Sequence, residues 1–232
     1  MKIKTIIQFA FVFCFLTNAY AEDKYLWLEE INSDKSMNWV NKTNKITDDK
    51  LKNTKLYQDL YSQALIVLNG ESRLPSLSQN GKWLYNFWQD KENPRGIYRR
   101  TTLKEIKKQN PKWEIVLDMD KYSIDHEKNY DYKGMTCLPP DGNNCLVSLS
   151  PSGGDAVEIR EFNREKLVFV EDGFVLPLAK SRVTWVDKNT VYVGTDFGLD
   201  SMTDSGYPRM IKKWKRGTSL QDAEVIYSAD KQ

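Results

Sequence analysis

Three β-hairpins written in one grammar constrain this chain more than any other feature. Residues 82–88 pair in pattern with 97–101 after the turn Gln79-Asn80-Gly81, and 145–149 pair with 157–162 after Pro140-Asp141-Gly142-Asn143-Asn144. The third begins at Val191-Tyr192-Val193, breaks at a Gly/Asp/Ser loop and resumes from Arg209 to Lys215. β-Branched and aromatic residues mark the strands, while Gly, Asn and Asp supply the turn conformations that strands avoid. First strands recur at roughly 45 to 60 residues, near the period of a four-stranded propeller blade. The expected fold is mainly β: a partial β-propeller of about three four-stranded antiparallel blades, preceded by two α-helices.

The first blade is expected at 76–79, 82–89, 96–102 and 112–117, with a helical turn in 103–110 before Pro111. The second takes 132–138, 145–150, 156–162 and 166–170, and the third takes 181–186, 190–195, 209–214 and 224–228. Ahead of them, Ser33 can cap a helix that carries Asp34 in its first turn and a weak stripe of Met37, Val40, Asn44 and Ile46 to about residue 50. A second helix is expected over 55–68. There Leu56, Tyr57, Leu60, Tyr61, Ala64, Leu65 and Leu68 fall on a broad face that must be buried. Three blades offer little for it to lie on, so this face is expected to need a partner. The expected organisation is residues 1–21 as leader, 22–70 helical and 71–232 an incomplete propeller.

Residues 1–21 have Lys2 and Lys4, an apolar core from Ile6 to Leu16 and the small-residue site Ala19-Tyr20-Ala21. This is the pattern of a secretory signal peptide cleaved between Ala21 and Glu22. The apolar core is well short of the ~20 residues a spanning helix needs, and no later stretch is long enough. The product is therefore expected to be secreted, into the periplasm in a Gram-negative cell, with no membrane association after cleavage. Lys2 and Lys4 leave with the leader, so 34 basic and 32 acidic residues become equal numbers. A neutral chain with interspersed signs has no electrostatic footprint for nucleic acid. Arg99-Arg100, Lys212-Lys213 and Lys215-Arg216 are expected on solvated outer faces.

Once Cys14 has left, Cys137 and Cys145 are the remaining cysteines, placed symmetrically about Asp141. A hairpin turning there sets them opposite each other, and an exported chain favours a disulfide over two free thiols. A metal pair is disfavoured because no His or further Cys lies nearby. Closing so short a loop removes less chain entropy than the ~3 kcal/mol of a 15-residue loop.

Catalytic machinery is expected to be absent. No Gly-x-Ser-x-Gly elbow occurs, and the lone histidine, His126, stands in a charged stretch that reads as a solvated loop. Asp196, Asp200 and Asp204 read as loop caps whose spacing matches no calcium loop. Asp118 and Asp120 read as a strand-end turn, and Pro151-Ser152-Gly153-Gly154-Asp155 is a turn without the Lys-Ser/Thr of a phosphate loop. No catalytic, metal or cofactor-binding residue is assigned. Trp83, Trp88, Trp113, Trp185 and Trp214 are expected to pack between blades, with a carbohydrate or peptide platform as the alternative.

Several segments carry a resemblance: Tyr25-Leu26-Trp27-Leu28-Glu29-Glu30 followed by Trp39-Val40-Asn41, Tyr85-Asn86-Phe87-Trp88-Gln89-Asp90, and residues 195–217. They resemble the N-terminal part of prolyl oligopeptidase-family serine peptidases, and nearly the whole mature chain is covered. In that family a β-propeller caps an α/β-hydrolase domain and admits short peptides but not folded proteins. The resemblance implies that only the propeller portion is present, truncated before the hydrolase domain. A peptide substrate is then expected only if a hydrolase domain joins it, for instance from a separate catalytic chain. The alternative is a non-catalytic periplasmic propeller-type interaction or binding module.

Overall fold

The computed structural model describes residues 23–70 and 73–230, so the leader and its Ala21–Glu22 cleavage site lie outside the described residues. The chain divides into two compact units between Gln63 and Ala64.

In the first unit a 3₁₀ turn (Leu26–Glu29) precedes α1 (Asp34–Leu51) and α2 (Lys55–Leu68), whose last residues from Ala64 belong to the second unit. The Ser33 hydroxyl accepts from the Ser36 amide, so the cap forms where the sequence places it. The apolar face of α2 is left uncovered, in keeping with a face expected to need a partner: Leu56, Leu60, Tyr61, Leu65 and Leu68 are all exposed. Amphipathic spacing encodes a demand for burial, not the surface that meets it.

The second unit is built from three antiparallel sheets. Blade 1 is β1 (Ser78–Asn80), β2 (Trp83–Trp88), β3 (Ile97–Thr102) and β4 (Glu114–Asp118), paired in chain order, with the short helix α3 (Leu103–Ile106) between β3 and β4. Blade 2 begins with β5 (Tyr130–Cys137), β6 (Asn144–Pro151) and β7 (Val157–Asn163). Its outer position is shared by β8 (Val168–Phe169) and β9 (Val175–Ala179), both paired to β7. Blade 3 is β10 (Arg182–Asp187), β11 (Thr190–Gly194), β12 (Met210–Lys215) and β13 (Glu224–Ser228).

Two features differ from expectation. A single fourth strand over 166–170 is replaced by the β8–β9 pair, which straddles Glu161. The Glu161 carbonyl accepts from the Val170 amide, its amide donates to the Phe174 carbonyl, and its carboxylate accepts from the Phe174 amide. The chain thus leaves the edge to make room for a buried carboxylate and then returns. Pro177 hides β9 in the sequence, yet an edge strand tolerates a residue that cannot donate to a ladder. The second difference is α4 (Met119–Asp125) where a turn was expected at Asp118 and Asp120. Asp118 caps it by accepting from the Lys121 amide at 2.8 Å, while Met119 and Tyr122 bury one side. Seven residues are too few for periodicity to announce a helix.

Cys137 and Cys145 are direct cross-strand partners and are joined through sulfur, with Cys145 fully buried. Non-reducing peptide mapping of the native protein is expected to recover the two cysteines in one linked species. Stoichiometric alkylation of both thiols without reductant is the contrary result.

Candidate functional site

Side chains alternate across a strand, so each blade has one face toward its predecessor and one toward its successor. Between blades 1 and 2 the rings of Phe87 and Tyr132 stack at 4.8 Å, and Tyr98 stacks on Tyr85 at 5.6 Å. Burial, with a contribution from Tyr98, pushes the Tyr132 phenol well above its ordinary range. The Arg164 guanidinium of blade 2 lies 4.0 Å over the Tyr85 ring of blade 1. Arg100 donates to Glu114 at 2.7 Å and to the Arg164 carbonyl at 2.9 Å. Between blades 2 and 3, Arg216 donates to both carboxylate oxygens of Glu161, at 2.8 and 3.0 Å, and lies over the Phe174 ring. Phe174 in turn meets Trp214 and Trp185 edge-on, and the Trp185 indole donates to the Thr136 carbonyl.

The basic clusters are therefore not solvated outer faces throughout. Arg100 and Lys212 are buried and Arg216 is half-buried, because strand alternation sends neighbouring cations to opposite faces. Their stems and guanidinium planes cover aromatic rings, a packing role that charge counting misses.

At one end of the blades the connecting loops are stitched to each other. Asp120 accepts from the Arg95 and Gly96 amides, Arg95 pairs with Asp131 at 2.9 Å, and Ser152 donates its amide to the Asn129 carbonyl. Lys180 donates to the Ser205 carbonyl and lies over the Tyr207 ring. In the β11–β12 loop Asp196 accepts from the Gly198 amide at 2.8 Å and from the Ser201 hydroxyl, which is a turn-making role. The Asp200 carbonyl accepts from Arg209, so the loop is fixed through its backbone as well. No group of three or more His, Cys, Asp or Glu gathers as a metal site among the described residues.

His126 is not a free loop residue. It caps the C-terminal end of α4, and its ring stacks on Tyr122 at 4.0 Å. Nδ1 lies 2.8 Å from the Tyr122 carbonyl, which makes it the protonated nitrogen, and Nε2 then accepts from Arg160 at 3.3 Å. Among the described residues, its hydrogen bonds reach neither a serine nor a carboxylate. Nearby, burial and the Glu158 carboxylate push the Tyr130 phenol up to about 12.

The tryptophans divide into two groups. Trp83, Trp185 and Trp214 pack against the two junction cores. Trp88 and Trp113 instead flank Arg99 on the face of blade 1 turned away from blade 2, with its guanidinium 4.4 and 4.1 Å from their rings. They line an open groove of about 880 Å³ together with Arg73, Leu74, Leu77 and Asp90, among others. This groove is the site of interest that residue patterns did not reveal. The alternation of Trp88 with Phe87 and of Arg99 with Arg100 was the available signal.

Antiparallel sheets of four or five strands laid face to face in chain order define a β-propeller architecture. The family model for the prolyl oligopeptidase N-terminal β-propeller domain matches residues 13–232, and the chain belongs to that family. An uncharacterized peptidase, y4nA, of Sinorhizobium fredii is 41% identical over 213 residues, covering 91% of this chain and 29% of that protein. A prolyl endopeptidase of Elizabethkingia miricola is 26% identical and is covered over 28% of its length. A solved post-proline cleaving enzyme from Rickettsia typhi superposes with a TM-score of 0.80 at 29% identity, over 88% of this chain and 31% of that one. The chain thus spans about three tenths of the length of these relatives.

Proposed function

We propose that this chain is the substrate-access propeller portion of a secreted, periplasmic prolyl oligopeptidase-like serine peptidase. Hydrolysis would take place in an α/β-hydrolase domain carried elsewhere. The observation that carries this reading is the serial packing of three blades onto one another in a chain whose match to the family's propeller domain covers residues 13–232. The blades hold no assembled nucleophile, base and acid among the described residues, and His126 is committed to Tyr122 and Arg160. Its contribution would be to exclude folded proteins and admit short peptides. The leader residues Lys2, Lys4, Ile6–Leu16 and Ala19-Tyr20-Ala21 support export.

The purified chain is expected to show no turnover of short proline-, lysine- or arginine-containing peptides, since loss of even one triad member lowers rates by orders of magnitude. His126→Ala protein serves as the control for contaminating peptidases. Turnover by the wild type that vanishes in His126→Ala would overturn the assignment, because it would place a base inside the propeller.

A further inference from the structure

Arg164 is a buried cation without an acid at the seam where blades 1 and 2 meet. Its guanidinium lies over the Tyr85 ring, its Nε has no hydrogen-bond partner, and no carboxylate lies within ion-pair distance of it among the described residues. The Tyr98 phenol is a hydrogen-bonding partner, but burial raises it above its ordinary range, so it brings no charge. Asn80, the last residue of β1, reaches the same place from blade 1. The point where a Gly142 side chain would begin is 2.5 Å from Arg164 Nη2 and 2.9 Å from Asn80 Nδ2, so glycine at 142 lets the two come together. Both nitrogens are donors, and neither offers the other an acceptor.

Asn80 is followed by Gly81, and the two are set for a reaction within the chain. Gly81 is exposed with φ 55°, nothing stands within 4 Å of where its Cβ would be, and its amide donates no hydrogen bond among the described residues. We propose that Asn80 is a site of spontaneous deamidation, whose aspartate product supplies Arg164 with its missing acid. The Gly81 nitrogen attacks Cγ of Asn80 and forms a new C–N bond; the Cγ–Nδ2 bond breaks, and Nδ2 leaves as ammonia with the Gly81 amide proton. Water then adds to Cγ of the cyclic imide, the Cγ–N bond breaks, and the nitrogen regains a proton, leaving a carboxylate on residue 80. Opening at the main-chain carbonyl instead lengthens the backbone by one carbon and breaks the pairing of Asn80 with Trp83, so the β1–β2 ladder selects the first product. The outcome copies the next seam, where Arg216, likewise over an aromatic ring, holds the Glu161 carboxylate with both terminal nitrogens. Asn69-Gly70 is the internal contrast. Its Gly70 amide donates to the Val67 carbonyl, and the Ile66 and Val67 oxygens stand 3.2 and 3.3 Å from where a Cβ would lie.

The test incubates the purified chain at mildly alkaline pH, which speeds loss of the Gly81 proton, and maps its peptides by mass spectrometry with aspartyl and isoaspartyl forms separated. Asn80 is expected to convert several-fold faster than Asn69, with the aspartyl form as its main product. Asn80→Asp protein, made directly, should melt about 2–4 °C above wild type, the shift that one favourable charged hydrogen bond gives a chain of this size. Arg164→Met should abolish that gain, so that chains with and without Asn80→Asp melt together on the Arg164→Met background. Conversion of Asn80 no faster than that of Asn69, or a mainly isoaspartyl product at 80, would overturn the proposal. So would an Asn80→Asp protein that gains nothing, or a gain that survives Arg164→Met.

Discussion

Phe162→Ala should lower the free energy of unfolding by about 3–5 kcal/mol, the range for removing a fully buried aromatic side chain. Phe162 sits on β7 at 1% exposure, within a core that draws Tyr85, Val116 and Leu117 from blade 1 and Val147 and Leu149 from blade 2. Its ring meets Phe169 edge-on at 5.1 Å, so truncation also removes the support of the short strand β8. The surrounding residues lie on two different sheets whose ladders fix their backbones, which limits how far the cavity can collapse. Phe162→Leu keeps most of the volume and should cost less than half as much. Urea denaturation followed by tryptophan emission measures both. An alanine variant within about 1 kcal/mol of wild type would mean that the sheets are not closely packed at this junction.

Most of this fold can be read from the sequence because its signals are local. Asn80-Gly81 and Pro140-Asp141-Gly142 specify where strands reverse, and alternation specifies which residues face inward; the twelve strands so inferred each lie within a few residues of an observed strand. What escaped was set by contacts between distant segments. β8 and β9 are separated because Glu161 needs both the Phe174 amide and Arg216, a requirement spread over 55 residues of sequence. The exposed face of α2 is the reverse case, where a local pattern asks for burial that nothing local provides. The groove on blade 1 was illegible for a related reason. Trp88, Arg99 and Trp113 meet only when β2, β3 and β4 are in register, and each reads alone as an ordinary strand residue.

The repeat makes Arg164 and Arg216 equivalent: each directly follows the third strand of its blade and lies over an aromatic ring of the blade before it. Their substitution should nevertheless have opposite consequences. Arg216→Ala leaves Glu161, whose side chain is 2% exposed, as a buried carboxylate that keeps only the Phe174 amide. Breaking one side of such a pair typically costs 3–5 kcal/mol, and the surviving amide places the expected loss near 3 kcal/mol. Arg164 is buried with Nε unpartnered, and no carboxylate lies within ion-pair distance of it among the described residues. A methionine there can cover Tyr85 without a desolvated charge, so Arg164→Met should change stability by no more than about 1.5 kcal/mol. The double variant Glu161→Gln with Arg216→Met should recover most of the loss seen in Arg216→Ala, because no charge is then stranded. Chemical denaturation of the four proteins decides the matter. Equal destabilisation by the Arg164 and Arg216 variants would show that cost follows the position in the blade, and that the buried carboxylate is not what binds blade 3 to blade 2.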